Sequence, residues 1–289
     1  MLTASAPAKV NLVLEVLGRG SQYHDICSIA QTVDLCDLLT FEPARRLEFT
    51  CSDSSLTNDN LVPRAAQLLQ QRCSVAAGAR IHLEKRIPPA QGLGGGSSDA
   101  AATLSALNRL WELGLSRQQL SVLGAELGSD VPLFLTQGTV LLEGRGERVT
   151  ALPDLKTTHL VLFAPDIRVP AGKTAFMYGC IKPEMYTRGQ FVRAAAFALE
   201  RQGRIPEELM FNVFEKVTAD VFQGLRHVRT MLEEATGTRA HLAGSGPCMY
   251  ALVETEDAAA SAVQRLEMHG RRAFAVRTTG ARDPDHEAR

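Results

Sequence analysis

The sequence predicts a two-domain α+β protein, its first domain carrying a glycine-rich phosphate loop and its second of ferredoxin-like type. Three observations carry this reading. A run of glycines, Gly92-Leu93-Gly94-Gly95-Gly96-Ser97-Ser98, sits among strands and opens directly into an alanine- and leucine-rich helix. A charged, glycine-punctuated stretch, Glu143–Arg148, breaks the pattern midway and places a boundary between about Val149 and Thr158. The chain then closes in a strand–loop–strand–helix–strand series: Ala240–Ala243, Gly244–Pro247, Met249–Val253, Ala258–His269 and Ala273–Arg277. The domains are therefore expected at 1–155 and 156–289.

The elements follow in order. From Lys9 to Leu17 the residues alternate, with Val10, Leu12, Leu14 and Val16 on one face, so this is a strand. Gly18-Arg19-Gly20-Ser21 ends it. Ala30–Val33, Leu38–Glu42 and Leu47–Cys51 read as further strands. Asn60 opens a helix with Pro63 in its first turn. Arg80–Ile87 is a strand leading into the glycine run. A helix from about Ala100 to Leu113 follows, then one with a Ser116-x-x-Gln119 capping box and Gly128 as its stop. A short helix starts at Asp130-Val131-Pro132. Thr139–Glu143 and Leu160–Ala164 are strand-like, and helices are expected near Gln190–Arg201 and Val217–Ala235. Asp283–Arg289 is a polar tail.

Of the 289 residues, 45% are hydrophobic and 22% charged, with a net charge of −1. This is a soluble globular profile, and its bulk charge points to neither nucleic acid nor a membrane surface. No apolar run reaches the length of a membrane span, and Met1–Pro7 has no secretory character. The six cysteines form no Cys-x-x-Cys pair, so neither a zinc site nor a disulfide framework is expected, and reduced thiols of a cytoplasmic protein are.

The glycine run carries the chemistry. Four glycines in five residues let a ligand approach the backbone, and the helix start aims free N–H groups and a positive dipole end at one spot. That is an anion site, most often for phosphate. It is not a Walker A loop, because the Gly-Lys-Ser/Thr ending is missing. Nor is it a dinucleotide fingerprint, because it follows Ile87-Pro88-Pro89 rather than a strand opening a βαβ unit.

Pro7-Ala8-Lys9-Val10-Asn11-Leu12, the glycine run and Leu242-Ala243-Gly244-Ser245-Gly246-Pro247, in this order, resemble the three signature motifs of the GHMP kinases. Tyr23-His24 and Gly128-Ser129-Asp130-Val131-Pro132 narrow the resemblance to the branch that phosphorylates a cytidylyl-bearing branched polyol for isoprenoid synthesis. It implies a GHMP kinase fold, ATP as phosphoryl donor with Mg²⁺, a small-molecule acceptor, and a cytoplasmic monomer or homodimer. It implies no nucleic-acid or membrane partner and no metal site built from protein side chains alone.

The resemblance also implies roles. Lys9 would face the acceptor hydroxyl and Asp130 would be the base; taken alone, they read as a strand-edge charge and a helix N-cap. Pro89, Ala90, Gln91, Gly92, Leu93, Gly94, Gly95, Gly96, Ser97 and Ser98 would bind ATP, with Gly92 to Ser98 cradling its phosphates and Ser97 or Ser98 donating to a phosphate or supporting Mg²⁺, although either serine alone reads as a helix cap. Asn60 and Lys85 would flank adenine, against plainer readings as a cap and a solvated strand lysine. Asn11, Tyr23, His24, Phe176, Gly244 and Ser245 would meet the acceptor, His24 through the cytosine base and Phe176 by stacking on it or by packing in the core. Two departures from the family pattern stand out: Ser21-Gln22 in place of Asp-Gly, and Asn212-Val213-Phe214-Glu215 in place of Asn-Asp-Leu-Glu.

Overall fold

A computed structural model describes residues 1–21, 23–170, 172–268 and 270–281. Gln22 of the first turn, His269 and the tail Asp283–Arg289 lie outside the described residues.

Two long strands, β1 (Leu2–Arg19) and β2 (His24–Ala44), form an antiparallel hairpin that is the spine of the first half. The short strands expected at Ala30–Val33 and Leu38–Glu42 are parts of β2. The pairing shifts register at Pro7/Ala8, Asn11/Val13 and Val16/Gly18. Each irregularity offsets the alternation of apolar residues, so one strand reads as several. From Ala6 to Val16 every residue of β1 is buried. Both faces are covered, and the irregularity between Asn11 and Val13 breaks the expected alternation, so that Val10, Leu12 and Val13 pack in one apolar cluster and Leu14 and Val16 in another.

β3 (Glu48–Cys51) runs parallel to β4 (Gly78–Glu84), and between them lies α1 (Leu61–Cys73). The glycine run leads into α2 (Gly95–Leu110), then come α3 (Arg117–Leu127) and α4 (Val131–Thr136), and the hairpin β5 (Thr139–Gly144) and β6 (Arg148–Ala151). The Ser116–Gln119 capping box and the Gly128 stop are both present. α2 begins five residues before the expected Ala100, because glycines with helical backbone angles already belong to its first turn. The sheet order is β3-β4-β2-β1-β8, where β8 is the short strand Phe211–Asn212 of the second half, with β5 on β2 and β6 on β5. Helices α1, α2 and α4 bury Val62, Leu69, Leu104, Leu107 and Phe134 against it.

The second half contributes β7 (His159–Ala164), α5 (Lys173–Gly179) and α6 (Gln190–Gln202). β8 (Phe211–Asn212), α7 (Thr218–Val221) and α8 (Leu225–Thr236) follow. The single helix expected over Val217–Ala235 is thus two, interrupted before Gly224, which has φ of 85°. β9 (Ala240–Leu242), β10 (Met249–Val253), α9 (Glu256–Glu267) and β11 (Arg272–Arg277) complete a second sheet of order β11-β7-β10-β9.

β8 leaves this second group and pairs in parallel with Val13 and Leu14 of β1. A third apolar cluster joins the two sheets, with Val10, Leu12 and Ile29 against Leu160, Leu162, Tyr250 and Val276. The Tyr250 hydroxyl donates to the Asn11 carbonyl across this seam at 3.0 Å, and buried Glu15 accepts from the Val192 amide in the first turn of α6 at 2.8 Å. The middle of β1 is therefore clamped from the second half, at the level where its polar residues point inward.

Candidate active site

Lys9 lies on β1 and is nearly buried. Its Nζ donates to Asn11 Oδ1 at 2.7 Å, and Asn11 Nδ2 donates to Ser28 Oγ at 2.8 Å. The plain reading of Asn11 as an inward-facing polar group is right, and its job is to orient Lys9. Lys9 is not a solvated strand-edge charge, because its side chain is buried and the glycine run, not solvent, covers this edge of β1.

Asp130 precedes α4 at the N-cap position, yet its side chain makes no capping bond. Its backbone is in the helical region, φ −83° and ψ −9°, which turns the carboxylate away from the helix amides. Asp130 Oδ2 lies 3.6 Å from Lys9 Nζ, and its side chain is 39% exposed against 7% for Lys9. A carboxylate free of structural duty thus faces open space beside a buried ammonium.

That space is a cleft of about 420 Å³. Lys9, Asn11, Asn60, Lys85, Asp130, Gly244, Ser245 and the whole of Pro89–Ser97 line it. The loop is held in place from three sides. Lys9 N donates to the Leu93 carbonyl at 3.0 Å, Cys248 N to the Gln91 carbonyl at 3.2 Å, and Gln91 Nε2 to the Pro165 carbonyl at 3.2 Å. Gly94, at φ 75°, is the N-cap of α2, so the amides of the first turn point into the cleft without a side-chain cap.

Two glycine positions cannot be anything else. A Cβ on Gly92 (φ 87°) would stand 2.3 Å from the Ala243 carbonyl oxygen, and one on Gly244 (φ 55°) 2.7 Å from the Gly92 oxygen and 3.1 Å from Lys9 Nζ. The glycine loop and the turn after β9 therefore meet backbone to backbone, above Lys9. Asn212 of β8 fixes that turn, its Nδ2 donating to the carbonyls of Leu242 and Gly244 at 3.0 and 2.8 Å. Glu215 supports it from below, accepting from Leu242 N at 3.1 Å while paired with Arg229 at 2.9 Å. In the Asn212-Val213-Phe214-Glu215 segment, both retained polar residues thus serve the turn.

Asn60 is the N-cap of α1, accepting from Val62 N at 2.9 Å, and also lines the cleft. Lys85 is not solvated. It is buried, with its Nζ 2.5 Å from Asp37 and 2.8 Å from Asp99, and a Cβ on Gly95 would come within 3.2 Å of it. Burial pushes the Asp99 carboxyl up to about 7; Lys85 pulls it down and Asp37 adds to the rise. Lys85 thus bridges two buried carboxylates at the back wall of the phosphate site.

Four expected residues stand elsewhere. Ser97 lines the cleft, but Ser98, one residue further round α2, points away. Its hydroxyl is buried with no hydrogen-bond partner among the described residues and reaches neither the cleft nor a cap, since Gly94 holds the cap position. Ser98→Ala is expected to leave the KM for ATP unchanged and stability unchanged or about 1 kcal/mol higher, because no hydrogen bond is lost; thermal melts and initial rates check this. Tyr23 is exposed, under the Arg145 guanidinium at 5.2 Å, and is not a cleft residue. Phe176 is 49% exposed, so it neither packs in the core nor lines the cleft; it lies on the outward side of α5. His24 does not line the cleft itself. It stacks on Tyr178 at 5.2 Å with Tyr186 edge-on at 6.3 Å, and Tyr178 forms a cleft wall. Burial and nearby Arg19 hold the His24 imidazole below its ordinary value, so it is neutral at pH 7.

Sequence reasoning missed Lys173, Thr174, Tyr178 and Phe214, all of which line the cleft. A signal existed for the first two: Gly172-Lys173-Thr174 spells the ending that the glycine loop lacks.

The "GHMP kinases N terminal domain" model matches residues 60–138 and the "GHMP kinases C terminal" model residues 194–272. The chain belongs to the GHMP kinase family. Among curated relatives of this kinase, a 4-diphosphocytidyl-2-C-methyl-D-erythritol kinase from Dehalococcoides mccartyi is 41% identical over 285 residues, covering 98% of the chain and all of the relative. One of the same description from Gloeobacter violaceus is 40% identical over 257 residues, covering 86% and 84%. A crystal structure of 4-(cytidine 5'-diphospho)-2C-methyl-D-erythritol kinase superposes with a TM-score of 0.83 at 36% identity, covering 96% of this chain and all of that one. A homoserine kinase from Cytophaga hutchinsonii, at 18% identity and a TM-score of 0.76, shares the fold.

Proposed function

We propose that this GHMP kinase transfers the γ-phosphoryl group of ATP to the 2-hydroxyl of 4-diphosphocytidyl-2-C-methyl-D-erythritol. The observation that carries the chemistry is the Lys9–Asp130 pair at the mouth of the glycine loop, 3.6 Å apart, with the carboxylate open to the cleft. The acceptor follows from relatives, one of them matched over its whole length, that bear this activity in their names.

In this reading the amides of Gly95 to Ser97 hold the nucleotide phosphates, Asn60 stands on the adenine side, and Lys85 backs the phosphate loop behind Gly95. Asp130 accepts the hydroxyl proton as the acceptor oxygen forms its bond to phosphorus and the bond to ADP breaks. Lys9, fixed by Asn11, stabilises the developing alkoxide. Mg²⁺, bound together with ATP, would neutralise charge on its phosphates; the Ser97 hydroxyl and a carboxylate oxygen of Asp130 are the hard oxygens that would hold it, whereas Asp99 is tied to Lys85. We divide the halves at 155/156, between β6 and β7, and take the enzyme to be a cytoplasmic monomer or homodimer. No helix among the described residues is long and apolar enough to cross a membrane.

The test is direct. The protein is incubated with MgATP and the cytidylyl acceptor, and product is sought by mass, with homoserine and mevalonate as competing acceptors. Phosphorylation of either of the latter, and not of the cytidylyl compound, would overturn the assignment.

His24 tests the base-reading end. Neutral at pH 7 and held by Tyr178 at the cleft wall, its imidazole can pair with a pyrimidine edge. His24→Ala is expected to raise the KM for the cytidylyl acceptor about 10-fold, the cost of one unpaired polar edge, and to leave the KM for ATP unchanged. Equal shifts in both constants would make His24 a member of the aromatic cluster and nothing more.

A further inference from the structure

Lys173 is a buried cation without a carboxylate. It opens α5, it is 8% exposed, and it lines the cleft. Among the described residues its one hydrogen bond runs to the carbonyl of Gly246, in the turn that packs on Gly92. No carboxylate among the described residues lies within ion-pair distance of it; the charged and titratable groups that face it are Lys9, Asp130 and Cys248. A desolvated ammonium beside a second ammonium is costly unless something anionic arrives between them. Two of its three donors remain for that anion.

We propose that Lys173 is a second phosphoryl ligand: anchored on Gly246, its Nζ contacts the transferred phosphoryl group opposite Lys9 and supplies, from the second half of the chain, the charge that the lysine-free glycine loop does not. The location supports this. Lys9 faces the acceptor side through Asp130, the α2 amides face the donor phosphates, and Lys173 reaches in over the turn where these two surfaces meet. Charge spreads over the equatorial oxygens of a phosphoryl group in flight, and a cation on each side stabilises it more than it stabilises bound ATP. The inference rests on the kinase reading above.

Burial, reinforced by Lys9, lowers the Lys173 ammonium to about 8 in the empty site. A bound triphosphate restores the charged form, so nucleotide binding above pH 8 takes up a proton here.

The decisive variant is Lys173→Met, which keeps the length and removes the charge. The wild type and variant are compared in kcat, KM for ATP and thermal midpoint. Proton uptake is measured by calorimetry of the β,γ-imido analogue of ATP with Mg²⁺ at pH 8.5, in two buffers of different ionisation enthalpy. The expected result is a kcat about 30-fold lower and a KM for ATP within about 3-fold of wild type. The thermal midpoint should be equal or higher, because an unpaired buried charge has been removed, and the proton uptake of the wild type should be lost. Lys173→Arg should recover part of kcat. A kcat within about 3-fold of wild type overturns the proposal, as does a loss of kcat that tracks a lowered midpoint and is not recovered by arginine. If the wild type yields no phosphorylated product, it is the assigned reaction that fails; proton uptake that is the same in both proteins then overturns the role of Lys173 independently.

Discussion

Asp130→Asn is expected to fold like the wild type and to lose about 10³-fold or more in single-turnover rate. The carboxylate makes no capping bond to α4, so an amide of the same shape forfeits no structural contact there. It forfeits two functional ones. The amide cannot take the hydroxyl proton, and Lys9 loses the negative neighbour 3.6 Å away. A thermal melt separates folding from chemistry, and the comparison belongs at saturating ATP and acceptor. A variant that melts normally and turns over within 10-fold of wild type would remove the base from the mechanism and leave Lys9 as the main catalytic group.

The second large effect is structural in origin. Gly92→Ala should lower stability by about 3 kcal/mol and turnover by about 10²-fold. The new methyl needs a left-handed backbone and meets the Ala243 carbonyl at 2.3 Å. Neither partner is the far end of a flexible side chain, so the glycine loop and the turn after β9 must part. That parting displaces Gly244, which sits against Lys9 Nζ, and a displacement of about 1 Å near the reacting atoms can cost 10² in rate. Gly96 serves as the control, since a Cβ there meets nothing closer than 4.0 Å from Leu61. Gly96→Ala should retain stability. Urea denaturation of both variants decides the matter; equal midpoints would show that the loop and the turn are not in contact under working conditions.

What could be read from the sequence was local. The Ser116–Gln119 box, the Asn60 cap and the Gly128 stop are written within a few residues, and each is where it was expected. Asp130 shows the limit of that grammar. Aspartate before Val-Pro reads as a cap, but one backbone angle decides whether the carboxylate meets the amides, and here it does not. Ser97 and Ser98 differ by one residue and face different sides of α2, which spacing alone resolves only once the helix start is known. Lys85 was beyond reach for another reason: its partners are 48 and 14 residues away, and nothing local distinguishes a lysine held by two buried carboxylates from one in water. The family resemblance supplied Lys9 and Asp130 as a pair, whereas Lys173 lies in none of the motifs that carry it.

β1 carries Lys9, Asn11 and Glu15 on the innermost stretch of the molecule. Most binding machinery sits on loops that open easily, with amides that exchange with solvent through small, local fluctuations. The Lys9 amide has no such route. It is sealed by the Leu93 carbonyl, inside a strand covered on both faces and clamped by the second half. Its hydrogen should exchange only when the whole chain unfolds, making the reacting end of this enzyme also its slowest-exchanging part. Heat or denaturant would then abolish activity in the same step as the fold, with no earlier stage in which an intact molecule has lost its chemistry.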